Sequence, residues 1–436
     1  MRTRLWLRSA GVLAAGTALT VAGCSLDVTN PNSADEQTAL NTAEGLQAMA
    51  VGMQRYWATN NVGTNIINSG VTSRELTINL TYIGQVMIED GGSNLDGSVG
   101  AGTFGASMRV MLMAEQIINK APGVQMDAGT RSGMIALAHL YVGMALGTLV
   151  QQYEQAPIET DLNQQATFKT RADVLAAALQ HLATASEALK ATAPSAQFNT
   201  KIKDSKLDLM NTINAHRARY LLYIGQYQAA IDMSKTVDPR VASYHSYDAL
   251  NNNPLYAQLV QQRSYAPRDN EGTPVTEAGD ARLAFFLIPD ATLSNPKKYP
   301  IEKLAGFGAS ATAPIPAYVP GEMALIRAES YLRLGNLAAA VQEINFIRTK
   351  KAASDPMGLG ANLPAYSGPV TADAIATEIY RQRASELYMQ GLRWEDQRRL
   401  GRPGPPASMD ERNRNFYPYP DQERLNNPNC PPNPAI

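Results

Sequence analysis

The chain has 436 residues, with 38 Lys+Arg against 39 Asp+Glu. Hydrophobic residues make up 44% and charged residues 18%, the composition of a globular protein with a large core rather than a disordered one. Near-neutral charge argues against a nucleic-acid partner, which needs a basic surface to displace counterions. Two cysteines, Cys24 and Cys430, exclude a disulfide framework and a four-thiolate zinc site.

The N-terminus reads as an address. Arg2, Arg4 and Arg8 precede an apolar run from Ala10 to Ala22 that is too short to span a bilayer comfortably. Val21-Ala22-Gly23-Cys24 looks like a bacterial lipobox, in which the cysteine becomes lipidated. Residues 1–23 are then a lipoprotein signal peptide, Cys24 the acylated residue and 24–33 a polar tether. Two acyl chains would anchor the protein without a spanning helix. Ordinary secretion with a cut near Cys24 is the competing reading. No long apolar run follows, so nothing else is expected to enter a membrane.

Helical periodicity marks residues 34–57, 103–121, 130–153, 171–192, 205–235, 318–350 and 371–400. Between them lie stretches rich in Gly, Pro, Asn and Ser at 58–74, 89–102, 239–317, 351–370 and 401–436, expected as loops. Segment 239–317 is the longest. It carries prolines from Pro254 to Pro316 that forbid one continuous helix, and eight aromatic residues that need a core or a ligand.

Residues 215–238 resemble residues 325–348 at an offset of 110. Ala218 aligns with Ala328, Leu222 with Leu332, Gly225 with Gly335, and Ala229-Ala230-Ile231 with Ala339-Ala340-Val341. Helix, glycine turn and helix, with small residues at the close approach, is the pattern of a tetratricopeptide-type hairpin. Segments 133–153 and 171–190 form a less regular pair. The expected fold is therefore mostly α, with helical repeats at about 130–238 and 318–350 as scaffold and the irregular segments as the functional side.

These features together resemble the SusD/RagB family of surface nutrient-binding lipoproteins, over essentially the whole chain after Cys24. The resemblance rests on three places. The start is Cys24-Ser25-Leu26-Asp27 with Asn30-Pro31-Asn32. The hairpin Leu325 to Arg348 ends in Asn345 and Arg348. The third place holds Arg383, Glu386-Leu387, Gly391, Arg393-Trp394, Asp396 and Arg399, then Tyr417-Pro418-Tyr419-Pro420 and Asn427-Pro428. Gln382 and Gln390 stand where acidic residues are expected, which thins an ion network, and the tail ends in CPPNPAI. The resemblance implies one SusD-like domain over 34–436, built from four repeat hairpins on one side and a loop-rich ligand-binding side, including insert 239–317, on the other. It implies a lipid-anchored protein of the outer membrane that faces the cell exterior, binds its ligand and does no chemistry. It implies a partner too: a TonB-dependent, SusC-like transporter that receives an oligosaccharide, or in some members a peptide.

Chemical motifs are weak. Gly100 to Gly105 matches GxGxxG but lacks the preceding apolar strand, so it reads as a turn. His139, His181, His216 and His245 show no paired spacing and read as packed or surface imidazoles. Asp90, Asn94 and Asp96 lack calcium-loop spacing, so no metal or cofactor is expected. A glycosidase carboxylate pair is a matter of geometry that sequence does not display. Arg393, Trp394, Glu386 and Asp396 read as a structural knot of buried tryptophan and paired charges. A sugar site needs flat aromatics beside amides and charged groups. Tyr56, Trp57, Asn60, Asn61, Asn65, Asn68, Arg74 and Tyr82 supply that mixture early in the chain. Tyr244, Tyr247, Tyr265, Arg268, Asp269 and Phe307 supply it in the insert. Two other functions compete: a repeat-based assembly lipoprotein without a small ligand, and a lipid-anchored glycoside hydrolase.

Overall fold

The computed structural model describes residues 40–91, 97–163, 165–268, 272, 276–290 and 295–435. Cys24, the tether, Asn94, Asp96 and Asp269 lie outside the described residues.

Helix α1 (Ala43–Tyr56) starts at Thr42, whose hydroxyl accepts from the Gly45 amide at 3.1 Å. The stretch 58–74, expected as a loop, is instead helical. A π-helical turn (Trp57–Val62) carries α1 into α2 (Gly63–Thr72), and nearly all of it is buried. Two of the asparagines that suggested a loop donate to hydroxyls inside, Asn61 to Ser107 at 2.8 Å and Asn68 to Thr103 at 3.4 Å, while the buried Asn61 Oδ1 has no partner among the described residues. Strand β1 (Leu76–Ile78) and α3 (Ile83–Asp90) follow. Helix α4 (Gly97–Lys120) begins before the expected boundary, within what reads as a glycine-rich loop.

Helix α5 (Ala128–Gln152) is the central core helix. It is long and apolar enough to cross a membrane, yet it is buried on nearly every side within the protein. The apolar run missed in the sequence is thus a core helix. Strands β2 (Gln155–Pro157) and β3 (Phe168–Thr170) pair antiparallel before α6 (Arg171–Ala191). The hairpin α7 (Leu209–Tyr223) and α8 (Tyr227–Ser234) comes next. The insert holds β4 (Ser243–His245), β5 (Tyr265–Pro267), α9 (Ala281–Phe286), β6 (Leu287–Ile288), β7 (Lys303–Leu304) and β8 (Ile315–Tyr318). A second hairpin, α10 (Gly321–Arg333) and α11 (Leu337–Thr349), is followed by α12 (Ala372–Glu386), α13 (Arg393–Arg399) and α14 (Asp421–Asn426).

The helices pair as α5–α6, α7–α8 and α10–α11, and α6 packs on α7, α8 on α10, and α10 on α12. Small residues line these seams. Ala215, Ala218 and Ala230 meet Leu222, Met323 and Ile326, and Ala328 and Ala340 meet Ile344, Ile375 and Ile379. The two repeat turns are the same device. Gly225 has φ 75° and Gly335 φ 78°. In each, the glycine amide and the next amide reach back to the helix's last carbonyls: Gly225 to Leu222 and Gln226 to Leu221, Gly335 to Leu332 and Asn336 to Tyr331. That is a Schellman cap, which a left-handed glycine completes.

The C-terminal motifs form a buried knot. Trp394 is 1% exposed; its indole donates to the Arg414 carbonyl at 2.8 Å and meets Tyr417 edge-on at 4.8 Å. Arg383 pairs with Asp396 at 2.7 Å, and Arg282 with Asp280 at 2.6 Å and Glu386 at 3.1 Å. Gln382 does not thin this network. Its amide donates to Glu378 at 2.9 Å and accepts from Arg282 at 2.7 Å, bridging a carboxylate and a guanidinium as no acid could. Arg348 holds Glu277 and Glu378, and Asn345 accepts the Tyr366 amide. The insert is thereby tied to the last repeat.

Candidate functional site

A short antiparallel pair joins the early segment to the insert. Strand β1 runs beside β5 with Leu76 opposite Pro267, Thr77 opposite Ala266 and Ile78 opposite Tyr265. Backbone bonds extend the pairing at both ends: Arg268 donates to the Glu75 carbonyl at 3.0 Å and Asn79 to the Ser264 carbonyl at 2.8 Å. On the other side of β5, Glu302 donates to Pro267 at 3.0 Å and Ile301 bridges Arg268. Two regions more than 180 positions apart thus meet in one small platform.

A cleft of about 70 Å³ opens at this platform, lined by Asn79, Arg263, Tyr265, Asp290, Ile301, Glu302 and Lys303 among others. Arg268 lies over the Tyr299 ring at 4.3 Å, a stacked cation–aromatic pair. Burial raises the Tyr265 phenol above its ordinary value, partly offset by a hydrogen bond with Gln85. Arg74, at φ 69°, donates to the Glu89 carbonyl at 2.8 Å and the Met409 carbonyl at 2.9 Å, and burial pulls its guanidinium pKa down. Lys297 contacts Glu89 and Asp90; burial works against its charge, but these acids outweigh it and raise its pKa.

Among the described residues, three buried polar atoms here have no hydrogen-bond partner: Asn79 Oδ1, Gln85 Oε1 and Arg268 Nε. A few residues beyond Asn79 in the chain, Tyr82 is 68% exposed and Ile83 75% exposed at the start of α3. Open flat aromatic surface next to unsatisfied donors and acceptors can take a molecule with both apolar faces and polar edges.

Of the residues selected from sequence, the structure brings Arg74, Tyr265 and Arg268 into this region, and Tyr82 stands exposed three residues after Asn79. It takes the others elsewhere. Trp57 packs edge-on against Tyr141 at 5.8 Å, and Trp57, Asn61 and Asn65 line an interior cavity with His216 and His245. Tyr56 is half-buried on α1, and its carbonyl accepts from the exposed Asn60. Tyr247 is 8% exposed and donates to the Ala58 carbonyl at 3.0 Å. Tyr244 is half-buried in the β4–β8 pair. Phe307 is core, edge-on to Phe285 at 5.3 Å and Phe286 at 5.7 Å. These aromatics fill volume between the insert and the helices, which is why they are not at the platform. Asn79, Arg263, Asp290, Glu302 and Lys303 were not picked out by sequence. Their signal is strand pairing across a long separation, which one sequence does not carry.

The SusD family model matches residues 224–431. Among solved structures, a putative sugar binding protein from Bacteroides vulgatus ATCC 8482 superposes with a TM-score of 0.69 at 14% identity, covering 91% of this chain and 99% of its own. A SusD superfamily protein from Bacteroides thetaiotaomicron VPI-5482 superposes with a TM-score of 0.69 at 16% identity, covering 90% of this chain and 100% of its own. A SusD-like carbohydrate binding protein from Bacteroides vulgatus ATCC 8482 gives 0.63 at 14% identity, covering 81% and 82%. No curated protein sequence matches significantly. The match to the SusD family thus lies on residues 224–431, and the chain shares the helical fold of these SusD-like structures.

Proposed function

We propose that this protein is a lipid-anchored outer-membrane receptor that captures an oligosaccharide at the cell surface and delivers it to a TonB-dependent transporter of the SusC type. The observation that carries the ligand reading is the β1–β5 platform. It sets a cleft lined by Asn79, Arg263, Tyr265 and Glu302 at the junction of the early segment and the insert, with the exposed Tyr82 three residues beyond Asn79 in the chain. A sugar ring offers C–H faces to a tyrosine and hydroxyls to amide and guanidinium groups. The naming of two structural neighbours as sugar or carbohydrate binding proteins supports the same reading. The lipobox-like Val21 to Cys24 supports the anchor. The protein acts by binding alone, without a chemical step.

The test is titration of the full chain against a panel of neutral and charged oligosaccharides, with peptides as the competing class. Tyr82→Ala should weaken the best ligand by roughly fivefold, about 1 kcal/mol. The fold should be untouched, because that side chain is mostly solvent-exposed. Unchanged affinity in that variant would remove the platform from consideration. For the partner, gentle extraction of the full-length protein from its native membrane should bring down a stoichiometric β-barrel. Recovery of the protein alone would defeat the delivery role.

A further inference from the structure

The histidines dismissed one by one in sequence meet in the fold. His139 on α5 and His181 on α6 are 42 residues apart, and their Nδ1 atoms lie 2.8 Å from each other. The ring centroids are 5.0 Å apart with planes inclined at 46°. Both side chains are half-buried at the seam, so solvent reaches them. The helices are pressed together at this point. A Cβ added to Gly143, one turn along α5 from His139, would stand 2.7 Å from Leu182 beside His181. The two rings therefore sit beside a close approach of α5 and α6 at Gly143 and Leu182.

We propose that His139 and His181 form a cross-helix bis-imidazole site for a tetragonal divalent transition cation, Cu2+ above all. An imidazole–metal bond is about 2.0 Å. Two such bonds at right angles place cis nitrogens about 2.8–2.9 Å apart, while a tetrahedral centre spreads them to about 3.3 Å. The observed 2.8 Å fits the square-planar or tetragonal angle. Neutral imidazole suits Cu2+, which also heads the order of divalent affinities. Among the described residues no cluster of three or more His, Cys, Asp or Glu side chains surrounds a metal position. The remaining coordination positions therefore fall to water at the open side of the seam. An ordinary N–H···N hydrogen bond between the rings is the competing account of the same distance.

The test uses the full chain without a polyhistidine tag, stripped by chelator and titrated with Cu2+. One ion per chain is expected, and its electron paramagnetic resonance spectrum should show two equatorial nitrogens. His139→Gln and His181→Gln should each weaken uptake at least about tenfold, since even groups behind a metal's ligands are worth that much. Zn2+ should bind more weakly than Cu2+. Absence of saturable uptake, a spectrum with fewer than two nitrogens, or full retention in both variants would overturn the site. The last outcome would move copper to His216, His245 or Cys430. The wild-type spectrum decides the matter even if a variant fails to fold.

Discussion

At the scale of single residues, glycine shows how sharply packing sets the cost of one carbon. A Cβ on Gly147 of α5 would stand 1.8 Å from the Tyr220 hydroxyl oxygen, and Tyr220 is itself 1% exposed. Neither side can yield without moving a helix. Gly105, on α4, faces open space. Gly147→Ala is expected to destabilise by about 1–3 kcal/mol through overpacking. Gly105→Ala is expected to stabilise by roughly 0.5–1 kcal/mol by stiffening the unfolded chain and favouring helix. Chemical denaturation of both variants checks the pair, and equal effects would contradict the packing described. Neither consequence was legible in sequence, where both glycines sit in similar Ala- and Met-rich surroundings. Side-chain roles were read more successfully at Trp394 and Asp396, because a tryptophan at helical spacing among paired charges has few places to go but a buried knot.

At the scale of elements, the repeat was the most legible feature. Its offset aligned Gly225 with Gly335, and both close the same Schellman cap. The physics is local, so one sequence suffices. Replacing Gly335 with alanine forces a Cβ into the left-handed region and should cost about 1–2 kcal/mol. Open space around that position leaves backbone conformation as the only cause. Gly225→Ala should cost a similar amount, with only ordinary contacts from Tyr227 nearby. Thermal melting of the two variants measures it, and a melting temperature unchanged in either one would show that the cap is dispensable there. The Asn-rich stretch after α1 was illegible for the opposite reason. Its helix propensity is poor, and only distant partners, Ser107 and Thr103 on α4, make burial of Asn61 and Asn68 tolerable. The candidate platform was half legible: Tyr265 and Arg268 could be chosen by residue type, whereas Asn79 and Lys303 join only through the β1–β5 pairing and the chain beside it.

At the scale of the whole molecule, the repeats, the first helices and the insert close around polar groups that must stay in one charge state. His216 on α7 and His245 on β4 line the same interior cavity, and burial pushes both imidazoles down, His245 to about 4. Arg219 adds to the shift at His216, while Asp204 opposes it at His245. The unfolded chain then binds protons more readily than the folded one between the ordinary histidine value of about 6.5 and 4. The stability these residues contribute is complete above pH 6.5 and is lost as pH falls toward 4. For His245 the full loss is about 3 kcal/mol, at 1.36 kcal/mol per pKa unit. Glu395 acts in a lower window. Burial opposes its charge, but Arg171 and Arg398 outweigh burial and hold its carboxyl at about 2. Its contribution is present above the ordinary carboxylate range and disappears as pH drops through that range toward 2. Melting temperature measured with chelator present should therefore fall in two stages, first below pH 6.5 and again below about 4.5. His245→Gln should shrink the first stage, which His216, His139 and His181 share, and leave the second. A melting temperature constant from pH 7 to 5 would mean that the cavity admits protons and water freely, and that the first helices and the insert do not close over it.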